Sequence, residues 1–299
     1  MRVVVTGGSG FIGTQTVRRL LARGDEVTVV DLVSSPEPGI RMVQGDLRDK
    51  SVVDEALVDG TEAVVHLAAM TSVLQSVNDP DGVFTTNILA THNVMERCRQ
   101  AGIGRFAFAS SNAVVGDVGS RRIHEQMVLH PLTPYGSTKA AGEMLLNAYS
   151  ASYGLVVGIL RFTNVYGQGM QVKDSVIARL MRAALTGGSI SIYGDGSQVR
   201  DYVYVTDAVA AIEICLGLEA SDTLTIGAGE SVSMVELHEI ACEVTGRPIG
   251  KEHVPAKSGE MPAVIVDTSH ALAVGWTPRF DVRAGMLATW EDFLSAGTA

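Results

Sequence analysis

The chain has 299 residues, 46% of them hydrophobic and 19% charged, with a net charge of −10. This composition suits a globular protein with material for a sizeable core, in one large domain or two smaller ones. An acidic surface repels nucleic-acid phosphates, so nucleic acid is excluded as a partner, and no apolar run reaches the roughly 18 residues of a membrane helix.

The three cysteines, Cys98, Cys215 and Cys242, are dispersed and in no paired spacing. They argue against a disulfide framework and against zinc, and fit a reducing cytoplasm. The histidines show no ligand spacing, so no metal is expected. A strand-like start at Arg2 leaves no room for a signal peptide.

In chain order, "RVVVT" (2–6) is short and β-branched and reads as a buried strand. "FIGTQTVRRLLARG" (11–24) has helical apolar spacing and ends on glycine. "EVTVVD" (26–31), "AVVHLAA" (63–69), "RFAFASS" (105–111) and "VVGILRF" (156–162) read as further strands. Helices are expected over 84–101 and 136–152. Apolar strands alternating with helices predict an α/β fold, a Rossmann-type doubly wound parallel sheet covered on both faces. Beyond residue 167 the alternation loosens and glycine turns multiply. The expected division is a dinucleotide-binding domain over 1–166 and a smaller, mainly substrate-binding region over 167–299. Helical segments 206–217 and 233–245 are candidates to pack back on the first domain.

"VVVTGGSGFIG" joins the first strand to the first helix. Gly7, Gly10 and Gly13 permit a tight turn and a close backbone approach to a pyrophosphate. Phe11 and Ile12 open the helix, whose N-terminal N–H groups then face the phosphates. Asp31 ends the second strand, 18 residues after Gly13. An acid there accepts from ribose hydroxyls and repels a 2′-phosphate, so the expected cofactor is NAD. Asp46 and Leu47, near the end of the next strand, either line the adenine or form a solvated turn. His66 reads as a structural residue inside its strand.

Tyr135 and Lys139 stand at i and i+4 at the start of a helix and share a face. Alone the pair is commonplace. Beside a dinucleotide turn, an ammonium and a nicotinamide cation would bring the tyrosine hydroxyl into range for proton transfer. Ser110 and Ser111 end an earlier strand, where ligands of such sheets bind.

With these residues the chain resembles the extended short-chain dehydrogenase/reductase family, and within it the NAD-dependent sugar epimerase/dehydratase group. The likeness runs from "TGGSGFIG" through "GDLRD", "HLAA", "NILAT", "SSNAVVGD", "YGSTK", "RFTNVYG" and "VRDYVYVTD" to "VDTSHALAVGWTP". It implies Ser111, Tyr135 and Lys139 as the catalytic set. It also implies Leu67, Ala68 and Ala69 against the cofactor, and a nucleotide-diphosphate sugar as substrate. Thr71, Ser72 and Asn112 would line the sugar. Asn164 and Arg200 would hold the diphosphate, unless Arg200 pairs with Asp201. "AKSGEMPAV" resembles "RxGDxP", which adds Lys257 and Glu260 to the substrate residues. Val264 then leaves room for an N-acetyl group. Asn87 is expected to fix backbone rather than touch substrate.

The implied reaction is 4-epimerisation of a UDP-hexose, in its glucose/galactose, N-acetyl or uronic acid form. The alternative is a net NAD-dependent dehydrogenase or reductase of another alcohol or keto-sugar. Dehydratases resemble "TDEVYG", whereas Asn112 and Ala113 here offer no acid or base. Val115 replaces the tyrosine of the family's "VYG". Relatives of this kind pair through two helices, which implies a homodimer.

Overall fold

The computed structural model describes residues 1–256 and 263–296. Its elements follow in chain order: β1 (Arg2–Thr6), α1 (Phe11–Ala22), β2 (Glu26–Asp31), β3 (Arg41–Gln44), α2 (Lys50–Ala56), β4 (Ala63–His66), α3 (Val73–Asn78), α4 (Pro80–Phe84), α5 (Ala90–Ala101), β5 (Arg105–Ser111), β6 (Arg122–Ile123), α6 (Pro134–Tyr153), β7 (Val156–Phe162), β8 (Asn164–Tyr166), α7 (Val176–Thr186), β9 (Ser189–Tyr193), β10 (Val199–Tyr204), α8 (Val205–Gly217), β11 (Asp222–Ile226), β12 (Ser231–Ser233), α9 (Met234–Thr245), β13 (Gly250–Val254), β14 (Ile265–Val266), α10 (Ser269–Ala273) and α11 (Val282–Ala296).

The chain divides into two compact units. The first holds Met1–Asp117, Glu125–Phe162 and Val209–Leu224; the second holds Val118–His124, Thr163–Ala208 and Thr225–Ala299.

The first unit is built on a seven-stranded sheet in the order β11-β7-β5-β4-β1-β2-β3. The ladders from β3 to β7 are parallel, with Val5 opposite both Val29 and Val65, and Phe108 opposite both His66 and Ile159. The chain runs outward from β1 to β2 and β3, then returns to place β4 on the other side of β1. That reversal opens a crevice at the C-terminal strand ends, where ligands of doubly wound sheets bind. The strands are covered on both faces, which is why β1, β4 and β7 read as near-continuous apolar runs. One face carries Val4, Val64, Phe106, Phe108, Val157 and Ile159, packed with Val94, Met95 and Leu146 of α5 and α6.

The helix expected over 84–101 is interrupted. Thr85–Leu89 forms a π-helical turn between α4 and α5. The extra residue in that turn turns Asn87 inward, where it is 4% exposed.

In the second unit, β12, β10 and β8 form one small sheet; β9 pairs with β13, and β6 with β14. The indole of the buried Trp276 donates to the Asp207 carbonyl at 2.9 Å, and the Asp207 carboxylate accepts from the backbone of Arg279 and Phe280. Among the described residues no helix is long and apolar enough to cross a membrane. No group of His, Cys, Asp or Glu among them is arranged to hold a metal ion.

Candidate active site

The glycine turn is built by close backbone approach. Gly7 has φ +70°, and a Cβ there would lie 2.6 Å from the Ala68 nitrogen. A Cβ on Gly13 would lie 2.0 Å from the Gly7 carbonyl oxygen. Gly10 caps α1 in extended conformation with no side-chain cap, and the first turn of α1 has no acid. The positive end of a 12-residue helix is thus left for an outside anion. This is the cradle a cofactor pyrophosphate requires, so the residues present fit NAD. Phe11 and Ile12 stand in that first turn, as expected.

Asp31 does more than sequence reading assigned to it. Its carboxylate accepts from the Ser9 backbone N–H at 3.0 Å and from Val33 N–H at 3.4 Å. It therefore ties the middle of the glycine turn to the end of β2. Asp46 is gripped by Arg48 in a two-pronged pair, which holds its carboxyl below the usual carboxylate range. Leu47 lies in the core. Leu67 and Ala68 follow β4 and lie against the turn: Leu67 N–H donates to the Thr6 carbonyl at 3.0 Å, and Ala68 N–H reaches Thr6 Oγ1 at 3.4 Å. Ala69 is half-buried beside them.

His66 is interior, as expected. Its ring lies 2.7 Å from Thr6 Oγ1 and 2.9 Å from Thr91 Oγ1. Burial first, and the Lys139 charge second, push its pKa down to about 3. It is neutral at any working pH.

α6 starts at Thr133, whose hydroxyl accepts from Gly136 N–H at 3.1 Å, with Pro134 in the first turn. The backbone of Tyr135 is fixed at both ends. Its N–H donates to Ser76 Oγ at 3.2 Å, and its carbonyl accepts from Thr138 Oγ1 at 2.8 Å. Thr138 in turn accepts from the Asn87 amide at 2.9 Å. Asn87 also exchanges two hydrogen bonds with the Met70 backbone, at 2.8 and 3.0 Å. Asn87 fixes backbone, and Ser76 is a support that the sequence did not reveal.

Ser111 acts on the Tyr135 hydroxyl and pulls its pKa down, against the larger effect of burial. Ser111 ends β5 and caps the short 3-10 turn Asn112–Val115, accepting from Ala113 N–H at 3.2 Å. Gly116 closes that turn at φ +68°, where a Cβ would meet the His130 carbonyl. Val115 is buried in the turn, 2% exposed. Asn112 is half-buried. Thr71 and Ser72 are exposed, and Ser72 caps α3 by accepting from Gln75 N–H at 3.2 Å.

Lys139 lies one helical turn beyond Tyr135, 3% exposed. Its ammonium donates to the Ala109 carbonyl at 2.7 Å and sits 4.9 Å from the centre of the Phe108 ring. Burial pushes its pKa down to about 8, against the opposing pull of Glu143. The expectation joined the lysine to a nicotinamide cation in lowering the tyrosine pKa. In the protein alone, burial raises Tyr135 and Ser111 only partly offsets it.

Glu143 and Arg161 were not singled out from the sequence, and Ser110 was noted beside Ser111 at the strand end without a role of its own. Glu143 accepts from Arg161 Nη2 at 2.7 Å, from Arg161 Nε at 3.0 Å and from the Ser110 hydroxyl. All three are buried. An arginine inside the apolar run "VVGILRF" was the available signal, because a buried guanidinium demands a partner.

In the second unit, Asn164 donates to the Asp201 carbonyl at 2.9 Å, and Arg200 Nη1 donates to the Val199 carbonyl at 2.8 Å. The Asp201 carboxylate does not turn to Arg200. It accepts from Thr163 Oγ1 and Ala228 N–H, and burial pushes its pKa up to about 7. Val264 is 2% exposed. Lys257 and Glu260 lie outside the described residues.

Residues 3–227 match the NAD dependent epimerase/dehydratase family. The chain belongs to this family. Among solved structures it is similar to the UDP-glucose 4-epimerase of Thermus thermophilus in complex with NAD, with 34% identity, a TM-score of 0.93, and 99% of this chain and 100% of that one covered. It is also similar to MoeE5 in complex with UDP-glucuronic acid and NAD, with 36% identity, a TM-score of 0.91 and the same coverage. The dTDP-glucose 4,6-dehydratase of Mycolicibacterium smegmatis is 33% identical over 97% of this chain and 92% of its own length. Global identity therefore does not separate epimerase from dehydratase; the residues around Ser111 have to.

Proposed function

We propose that this family member catalyses NAD-dependent 4-epimerisation of a nucleotide-diphosphate sugar, with a UDP-hexose as the substrate class. The observation that carries this reading is the buried Lys139, one turn beyond Tyr135 on α6, whose ammonium donates to the Ala109 carbonyl of the strand that ends at Ser111, with Ser111 close enough to Tyr135 to pull its pKa down. NAD, when bound, supplies reversible hydride exchange at the sugar C4. Gly7, Gly10 and Gly13 would cradle its pyrophosphate and Asp31 its adenosine ribose. Tyr135 takes the proton of the 4-hydroxyl as that carbon is oxidised and gives it back on reduction. Ser111 holds the same oxygen in place. Lys139 supplies positive charge beneath the tyrosine.

Epimerisation is favoured over dehydration because the stretch after Ser111 is Asn112-Ala113-Val114. Removing water across C5 and C6 needs an acid and a base there, and none of these three side chains provides one. Arg200 and Asn164 would hold the diphosphate, arginine being suited to a phosphate fork. Pairing of two copies through α5 and α6 is part of the same proposal.

The test is a panel of UDP-, dTDP-, GDP- and ADP-sugars, with products read by NMR and NADH by absorbance. Interconversion of two 4-epimers without net NADH is the expected result. Steady NADH accumulation would favour the dehydrogenase reading, and a 4-keto-6-deoxy product the dehydratase. Tyr135→Phe should lower kcat by at least about a hundredfold, the lower end of general acid–base contributions. Retained turnover in that variant overturns the assignment of Tyr135.

A further inference from the structure

The polar residues beneath the candidate catalytic set are arranged with a regularity that packing alone does not require. Ser110 of β5 lies directly opposite Arg161 of β7 in the parallel ladder. Alternation along β5 puts Ser110 on the same sheet face as Phe106 and Phe108, and along β7 puts Arg161 on the same face as Val157 and Ile159. That face is the apolar layer under α6. Gly142 of α6 sits against the Phe108 ring, where a Cβ would approach Cζ to 2.7 Å. Helix and strand are therefore in close contact at this level. One residue further along the helix, the apolar layer gives way to the carboxylate of Glu143.

Glu143 lies eight residues after Tyr135 and four after Lys139, on the same stripe of α6. Its side chain is 2% exposed and that of Arg161 6%. Arg161 also donates from Nη1 to the Glu125 carbonyl at 3.0 Å, in the segment that leads into Thr133 and the start of α6. A buried ion pair is costly in desolvation and is weak evidence of a stabilising role. Its position is the informative part. One carboxylate holds the residue preceding Ser111, the strand beside it, and the helix that carries Tyr135 and Lys139.

We propose that Glu143 is a positioning residue: through Ser110 and Arg161 it fixes the end of β5 against α6, and its negative charge keeps Lys139 protonated. The proposal rests on the catalytic assignment of Ser111, Tyr135 and Lys139 made above. The other groups that face Lys139 do not supply that charge. In the protein alone His66 on β4 is neutral, β5 offers the Phe108 ring and the Ala109 carbonyl, and burial favours the protonated form of Tyr135 on α6. Burial has already brought Lys139 down to about 8, so its charge is close to being lost within the working range.

The experiment is the pH dependence of kcat and KM for Glu143→Gln and Ser110→Ala beside the parent enzyme, on whichever sugar pair the panel identifies. Glutamine keeps the shape and an acceptor for Ser110 but removes the charge. The alkaline limb of kcat is expected to move to lower pH, with kcat falling roughly five- to tenfold at pH 8.5 for a limb displaced by about one unit. The KM for the sugar should stay within about twofold. Ser110→Ala keeps the ion pair, so its kcat should fall at every pH with the limb unmoved. If Glu143→Gln does not fold, Ser110→Ala still decides the strap half of the proposal.

An unmoved alkaline limb in Glu143→Gln, or a parent kcat in Ser110→Ala, overturns the proposal. Failure of the underlying assignment looks different: Tyr135→Phe then stays active. An inactive Tyr135→Phe beside a Glu143→Gln of parental profile overturns the role of Glu143 alone.

Discussion

His66 and Lys139 are two cationic-type side chains in one apolar layer, and burial treats them alike by favouring the neutral form. For His66 the consequence is thermodynamic. Its folded pKa of about 3 lies below the ordinary value of 6.5. Between those values the unfolded chain binds more protons than the folded one, so stability is intact above pH 6.5 and is lost as pH falls toward 3. The slope contributed is up to about 1.4 kcal/mol per pH unit. Urea midpoints measured from pH 7 to pH 4 should therefore fall more steeply for the parent than for His66→Gln, and equal slopes would contradict this reading. Spacing alone placed Tyr135 and Lys139 one turn apart on a helix and Ser110 and Ser111 at a strand end, as the structure has them, while the choice of Ser111 with the pair as a catalytic set came from the resemblance. Glu143 was not legible, because a glutamate in a helix reads as solvated until the strand that buries it is known. The raised tyrosine pKa was also out of reach, since it follows from burial and not from neighbours in the chain.

Elements were legible in proportion to how local their causes are. Strands β1, β2, β5 and β7 have the residue limits read from their β-branched and aromatic runs. The 84–101 helix was read as continuous, because a π turn at Thr85–Leu89 leaves apolar periodicity almost unchanged while rotating one residue inward. That residue, Asn87, ties the chain after β4 to α6 through Met70 and Thr138. The β1–α1 turn permits a sharper prediction. A methyl on Gly13 would meet the Gly7 carbonyl at 2.0 Å, with backbone and not a flexible side chain in the way. Gly13→Ala must displace the turn, which should lower the melting temperature and weaken NAD binding at least about tenfold, one lost hydrogen bond to a charged phosphate being enough. Calorimetric titration with NAD tests this, and unchanged affinity would show that the turn is not the cofactor cradle.

The sheet of the first unit draws its strands from far apart in the chain. β7 closes the run of parallel strands that the sequence made visible, but β11 lies beyond it and comes from residues 222–226. α8 is packed on β7: a Cβ on Gly158 would approach the Cys215 Cβ to 2.5 Å. Arg19 of α1 pairs with Glu213 at 2.7 Å, and Arg105 donates to the Leu218 carbonyl. Alternation could not foresee this, because nothing local in "DTLTI" says which strand it will join. A fragment ending at residue 166 would leave one edge of β7 without its partner, and exposed edges of that kind associate. Such a fragment should be recovered mainly as aggregate by size-exclusion chromatography, and a monodisperse soluble monomer would contradict the expectation.

The same connectivity sets a clock during biosynthesis. About 60 residues separate the end of β7 from the start of β11, and at roughly 5–20 residues per second the ribosome needs about 3–12 s to make them. Throughout that interval the nascent sheet has an open margin facing the crowded exit region. The delay between two neighbouring strands, and not the strength of either, is then the point at which the growing polypeptide is most open to capture by a chaperone or by another nascent copy.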